Sequence, residues 1–116
     1  MLIVDDHEGF RRQARALFVR GGYEVVGEAG DVASAVRSAA DLRPAVVLLD
    51  IQLPDGDGFE AARQILAAEA PPAVVLVSSR DAPDYGARIR ASGVDGFISK
   101  ADLSVRALEA VLGGAP

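Results

Sequence analysis

With 116 residues, half of them apolar and a quarter charged, the chain has the size and balance of one globular domain around a single buried core. Its formal net charge of −5 argues against direct contact with a nucleic-acid backbone, and the absence of cysteine excludes disulfides, thiolate metal sites and cysteine nucleophiles. No apolar run approaches the ~20 residues of a membrane span and the N-terminus lacks a signal-peptide pattern, so a cytoplasmic protein with no membrane partner is expected.

Met1-Leu2-Ile3-Val4 reads as a short apolar strand that runs directly into Asp5-Asp6. Phe10, Ala14, Leu17 and Phe18 then recur at helical spacing with arginines between them, and Gly21-Gly22 ends that amphipathic helix. Tyr23 to Ala29 reads as a second strand. Ala33, Val36 and Ala40 mark a second helix, stopped by Arg43-Pro44.

Ala45 to Leu49 is a run of five apolar residues with no polar alternation, which predicts a strand buried on both faces, as in a parallel sheet. It ends on Asp50. Pro54, Asp55, Gly56, Asp57 and Gly58 supply turn chemistry, with Asp57 suited to capping a third helix that carries Phe59, Ala62, Ile65 and Leu66.

Ala73 to Val77 repeats the buried-strand signature and runs out into Ser78-Ser79. A fourth helix is expected from about Pro83 to Ser92, and Val94 to Ile98 is a fifth strand leading to Ser99-Lys100. Ser104 is placed to cap a last helix carrying Val105, Leu108 and Leu112. Residues 1–112 thus form the domain, and Gly113 to Pro116 resembles the start of a linker or tail.

Strands alternating with helices in this way predict a parallel sheet covered on both faces and joined by right-handed crossovers. Periodicity leaves the strand order open. All strand C-termini of such a sheet lie on one edge, where open α/β folds bind ligands. That edge collects Asp5 and Asp6, Asp50, Ser78-Ser79 and Lys100. Three carboxylates in one small site raise each other's pKa values unless a cation joins them, and hard oxygen ligands point to Mg²⁺. With the cation in place one carboxylate can stay ionised and attack phosphorus, giving an aspartyl phosphate. Lys100 adds positive charge, and a serine hydroxyl can bind a phosphoryl oxygen.

The segments VDDH at Val4 to His7, LLDIQLPDGDG at Leu48 to Gly58, VSS at Val77 to Ser79 and GFISK at Gly96 to Lys100 resemble those of a response-regulator receiver domain. The resemblance covers essentially the whole chain in order and spacing. VDDH and GFISK look most like the NarL/FixJ-type subfamily, which carries a C-terminal helix-turn-helix. The resemblance implies a flavodoxin-like, doubly wound, five-stranded sheet of order 2-1-3-4-5 with five helices, a pattern for which a chemotaxis receiver is itself a standard example.

By position it implies that Asp50 is the phosphoacceptor and that Asp5 and Asp6 are the acidic Mg²⁺ pair. Gln52 would lend its backbone carbonyl to the metal, Ser78 would be the switch hydroxyl, Phe97 the switch aromatic and Lys100 the phosphate contact. The implied partner is a sensor histidine kinase or phosphotransfer protein in a two-component phosphorelay. The receiver would catalyse only its own phosphorylation and dephosphorylation, acting as a signalling switch and not as a turnover enzyme.

A phosphoryl group on Asp50 would draw Ser78 inward and let Phe97 fill the vacated space, remodelling the surface of the fourth helix, fifth strand and fifth helix. Arg88, Arg90, Asp95 and Arg106 would give that face mixed charge, suited to an output domain, a reversible partner or a phosphorylation-dependent homodimer. The alternative is a pseudo-receiver that binds partners without phosphorylation.

Three features depart from the family pattern. Strand one is short, Ala101 stands where the family lysine is commonly followed by a cis proline, and Arg80 lies two residues after the switch hydroxyl, where it would fold over the phosphoryl group and slow hydrolysis. His7, the sole histidine, sits beside the acidic pair, where a ligand or phosphohistidine is the alternative; with no second histidine nearby it reads as a surface residue.

Overall fold

A computed structural model describes residues 1–79 and 85–113. The elements run β1 (Leu2–Val4), α1 (Glu8–Arg20), β2 (Gly27–Ala29), α2 (Val32–Leu42), β3 (Val46–Asp50), β4 (Gln52–Leu53), β5 (Gly56–Asp57), α3 (Gly58–Leu66), β6 (Ala73–Ser78), α4 (Gly86–Ser92), β7 (Gly96–Ser99) and α5 (Val105–Val111). Five strands form one parallel sheet in the order β2-β1-β3-β6-β7, so β6 and β7 are its fourth and fifth strands in chain order. This is the flavodoxin-like order expected from the sequence.

The pleat divides the core in two. Leu2, Val4, Val47, Leu49, Val74 and Leu76 face one side, under Ala35 of α2 and Ala61, Ala62 and Ile65 of α3. Ile3, Leu48, Val75, Val77 and Ile98 face the other, under Ala14 and Phe18 of α1 and Leu108 of α5. Because β3 is buried along its whole length, the absence of alternation in its sequence is the signature of these two covered faces. No helix among the described residues is long and apolar enough to cross a membrane.

Several ends follow from capping chemistry. The carboxylates of Asp31 and Asp57 and the hydroxyl of Ser104 accept from the Ser34, Glu60 and Ala107 backbone N–H groups, opening α2, α3 and α5. Gly22 takes the left-handed conformation after α1 with φ 93°, while Arg43 does so after α2, just ahead of Pro44.

The structure also departs from the expected boundaries. The second strand keeps only Gly27–Ala29 of the predicted Tyr23 to Ala29. Tyr23 instead turns its ring edge-on to Phe18 at 5.7 Å and gives its N–H to the Phe18 carbonyl, which takes it out of the sheet ladder. The predicted start of the fourth helix at Pro83 lies outside the described residues, as do Arg80 and residues 114–116. No peptide bond among the described residues is cis, so Lys100–Ala101 is trans.

Two of the four charges assigned to the α4–β7–α5 face are committed elsewhere. The Asp95 carboxylate accepts the Val74 N–H at 2.8 Å, and Arg88 pairs with Asp57 at 3.0 Å while stacking 4.1 Å over the Phe59 ring.

Candidate functional site

The edge of the sheet gathers its polar residues because the strands end there together. Asp5 follows β1 and continues its ladder, giving its N–H to the Ala29 carbonyl. Asp50 is the last residue of β3 and pairs in register with Val77, one position before Ser78 at the end of β6. Ser78 lies opposite Ser99, the last residue of β7, after which Lys100 opens a single 3-10 turn. Asp5, Asp50 and Ser78 are buried, with 0, 4 and 1 % exposure, which is the burial pattern of a working pocket and costly for bare charges.

Lys100 answers that cost. Its ammonium stands 2.6 Å from Asp5 Oδ2 and 3.6 Å from Asp50 Oδ2, and 4.3 Å over the Phe10 ring. Among the described residues Asp5 Oδ2 makes no directed hydrogen bond, so this ion pair is its compensation. Asp50 Oδ1 accepts a long bond of 3.4 Å from the Gln52 N–H. Burial, and then the neighbouring Asp5 charge, push the Asp50 carboxyl up to about 6, with Lys100 pulling the other way.

The loop after Asp50 is held by unusually close packing. Gly58 gives its N–H to the Ile51 carbonyl at 2.6 Å, and a Cβ on Gly58 would collide with the Asp50 carbonyl oxygen and stand 2.8 Å from Ile51 Cα. Only glycine fits that approach. Gln52 begins a two-residue antiparallel ladder with Asp57, a local hairpin where the sequence suggested turns alone. Phe97 is partly buried, opposite Leu76 on the α2–α3–α4 side of the sheet, and packs with that core.

Sequence reasoning missed three participants. Asp55 reaches out of the loop to accept from the Val32 and Ala33 N–H groups at 2.7 and 3.2 Å, tying the Asp50 loop to the start of α2. Arg11 donates to the Asp5 carbonyl at 2.6 Å and, with Arg15, grips Glu28, whose carboxyl they hold below its ordinary range. Phe10 supplies the ring beneath Lys100. His7 stays exposed, as expected, yet its Nδ1 lies 3.1 Å from Asp5 Oδ1 and 3.0 Å from Asp6 Oδ1. The PDG and DDH strings flagged Asp55 and His7 but not their partners, and Phe10 and Arg11 read only as residues of an amphipathic helix.

Asp5, Asp6, His7 and Asp50 each offer one ligand atom, all within 4.8 Å of one another. The carboxylate-rich donor set suits a hard divalent cation such as Mg²⁺.

A buried carboxylate paired with lysine at the C-terminal edge of a 2-1-3-4-5 sheet marks a flavodoxin-like α/β domain. Residues 1–112 match the model of the response regulator receiver domain, and the chain belongs to that family. It is 35 % identical over 113 residues to the transcriptional regulatory protein NarL of Mycobacterium tuberculosis, covering 97 % of this chain and 52 % of that protein. A LuxR-family two-component response regulator from Aurantimonas superposes with a TM-score of 0.87 at 32 % identity, covering 97 % of this chain and 84 % of the other. The receiver domain of the M. tuberculosis NarL response regulator gives 0.82 at 33 %, covering 97 and 94 %. The chain spans about half the length of the curated relatives it matches. It is a receiver domain of a two-component response regulator, a class of signalling module that binds Mg²⁺ at its acidic pocket and interacts with histidine kinases or phosphotransfer proteins.

Proposed function

We propose that Asp50 accepts a phosphoryl group from a phosphohistidine of a sensor kinase or phosphotransfer protein. The observation that carries this reading is the buried Asp50 carboxylate set between Asp5 and Lys100 at the open edge of the sheet. An Asp50 Oδ attacks phosphorus, a P–O bond forms as the P–N bond to the donor imidazole breaks, and the released ring nitrogen takes up a proton. Mg²⁺, when bound by Asp5, Asp6, Asp50 and the Gln52 carbonyl, supplies the charge neutralisation that this transfer needs.

Lys100 then holds a phosphoryl oxygen, and the Ser78 hydroxyl turns toward another. Phe97 sits one residue from Ile98 in the strand that leads to Lys100, so a shift of that strand end reaches the α4–β7–α5 surface. That surface controls an output domain or partner and forms a phosphorylation-dependent homodimer. The transcriptional role in the name of the M. tuberculosis relative suggests that the output here is gene regulation. Chemistry directed at the domain's own aspartate makes this a switch and not a turnover enzyme.

Intact mass after incubation with acetyl phosphate tests the assignment. A gain of ~80 Da, one phosphoryl group, is expected for the wild type with Mg²⁺ and not for Asp50→Ala or in chelator. Mg²⁺ binding without any adduct would favour a pseudo-receiver.

A further inference from the structure

We infer that His7 is a nitrogen ligand to the divalent cation of the acidic pocket, and that it biases the site from Mg²⁺ toward borderline first-row cations such as Co²⁺ and Ni²⁺. The inference rests on the acidic-pocket reading above and extends it to a residue that reading leaves out.

Three atoms carry the geometry. His7 Nδ1 lies 3.1 Å from Asp5 Oδ1 and 3.0 Å from Asp6 Oδ1. Adjacent ligands around an octahedral ion with bonds of ~2.1 Å stand about 3.0 Å apart, the bond length times √2. The two contacts are thus spaced like edges of a coordination octahedron, and an Asp50 oxygen belongs to the same cluster, within 4.8 Å.

The backbone enforces this placement. The His7 N–H donates to Asp5 Oδ1 at 2.8 Å, which curls the chain so that the ring of residue 7 returns over the carboxylates of residues 5 and 6. The other oxygen of that carboxylate, Asp5 Oδ2, is turned to the Lys100 ammonium at 2.6 Å, which leaves Oδ1 for the His7 side.

A divalent cation set between the Nδ1 lone pair and the two carboxylate oxygens is attracted by all three. Mg²⁺ gains little from the nitrogen, because it favours oxygen ligands and retains its waters. Imidazole suits the later first-row ions, whose affinities rise toward nickel and copper. His7 therefore acts on which cation the pocket holds.

The experiment measures Ni²⁺ and Mg²⁺ dissociation constants for the wild type, His7→Ala and Asp6→Asn, with pulsed EPR of the Mn²⁺-loaded proteins. His7 is the chain's sole histidine, so ¹⁵N-histidine labelling assigns any imidazole coupling without ambiguity. The expected result is a nitrogen coupling that changes isotope with the label and disappears in His7→Ala. The preference for Ni²⁺ over Mg²⁺ should also fall by roughly tenfold or more in that variant.

Mg²⁺ binding that depends on Asp6 but shows no histidine coupling, with an unchanged Ni²⁺ to Mg²⁺ ratio, overturns the inference and leaves the acidic-pocket reading standing. No cation binding, or binding indifferent to Asp6→Asn, overturns both.

Discussion

Asp50 is held in a state that folding itself disfavours. Its carboxyl is raised from 3.8 to about 6, chiefly because burial strips water from the charged form. The folded chain therefore holds this proton more tightly than the unfolded chain. The destabilisation is absent below pH 4, grows between pH 4 and 6, and is complete above. Asp50→Asn removes it. In chelator at pH 8 that variant is expected to be more stable than the wild type by about 1–3 kcal/mol, since each tenfold difference in proton affinity between the folded and unfolded chains is worth about 1.4 kcal/mol. The gain should vanish by pH 4. Urea unfolding at the two pH values checks this, and equal stability of the two proteins at pH 8 would contradict it. The identity of the residue was legible because Asp50 ends an unbroken apolar run. Its partners were less so. The contacts of His7, Arg11 and Phe10 with the pocket depend on which way side chains leave a turn and the first turns of a helix, and one sequence does not specify that.

At the scale of elements, the short hairpin after β3 decides where the Asp50 end of the strand comes to rest. Gly58 begins α3 with no room for a side chain against Asp50 and Ile51, and both obstacles are backbone. Gly58→Ala is expected to cost about 1–3 kcal/mol, the range of an overpacked core, and to move the strand end with it. Urea denaturation reads the first effect, and the amide chemical shift of Asp50 the second. A stability loss without any shift at residue 50 would mean that the loop gives way instead. Helix and strand identities were readable from period and caps, as the observed caps Asp57 and Ser104 show. Lengths were less readable. Apolar Tyr23 and Val25 look like strand residues, but they serve the α1 and α5 side of the core from outside the ladder. The role of Asp55 was hidden for a related reason, since its partners lie 22 and 23 positions away.

For the molecule as a whole, alternation of elements was enough to predict a parallel sheet with two covered faces, while the order of its strands came from family resemblance. The site inherits its composition from that topology. Strands far apart in sequence end side by side, so one ammonium comes to stand among Asp5, Asp50 and the Phe10 ring. That sharing has a thermodynamic consequence. Were Asp50 to carry the proposed phosphoryl group, a single counter-ion drawn toward it would desert Asp5, which is fully buried. The pocket then becomes hungrier for a cation, and by reciprocity a bound cation favours the modified aspartate to the same degree. The two occupancies are coupled through a lysine that belongs fully to neither. Lys100→Met imitates the desertion permanently. Its metal-free form should be less stable by about 2–4 kcal/mol near neutral pH, as for other broken buried pairs. Its Mg²⁺ affinity should rise by roughly tenfold, equivalent to about 1.4 kcal/mol. Calorimetric titration of both proteins reads that exchange directly: a receiver that lost its lysine and gained nothing in cation affinity would show the two charges to be independent.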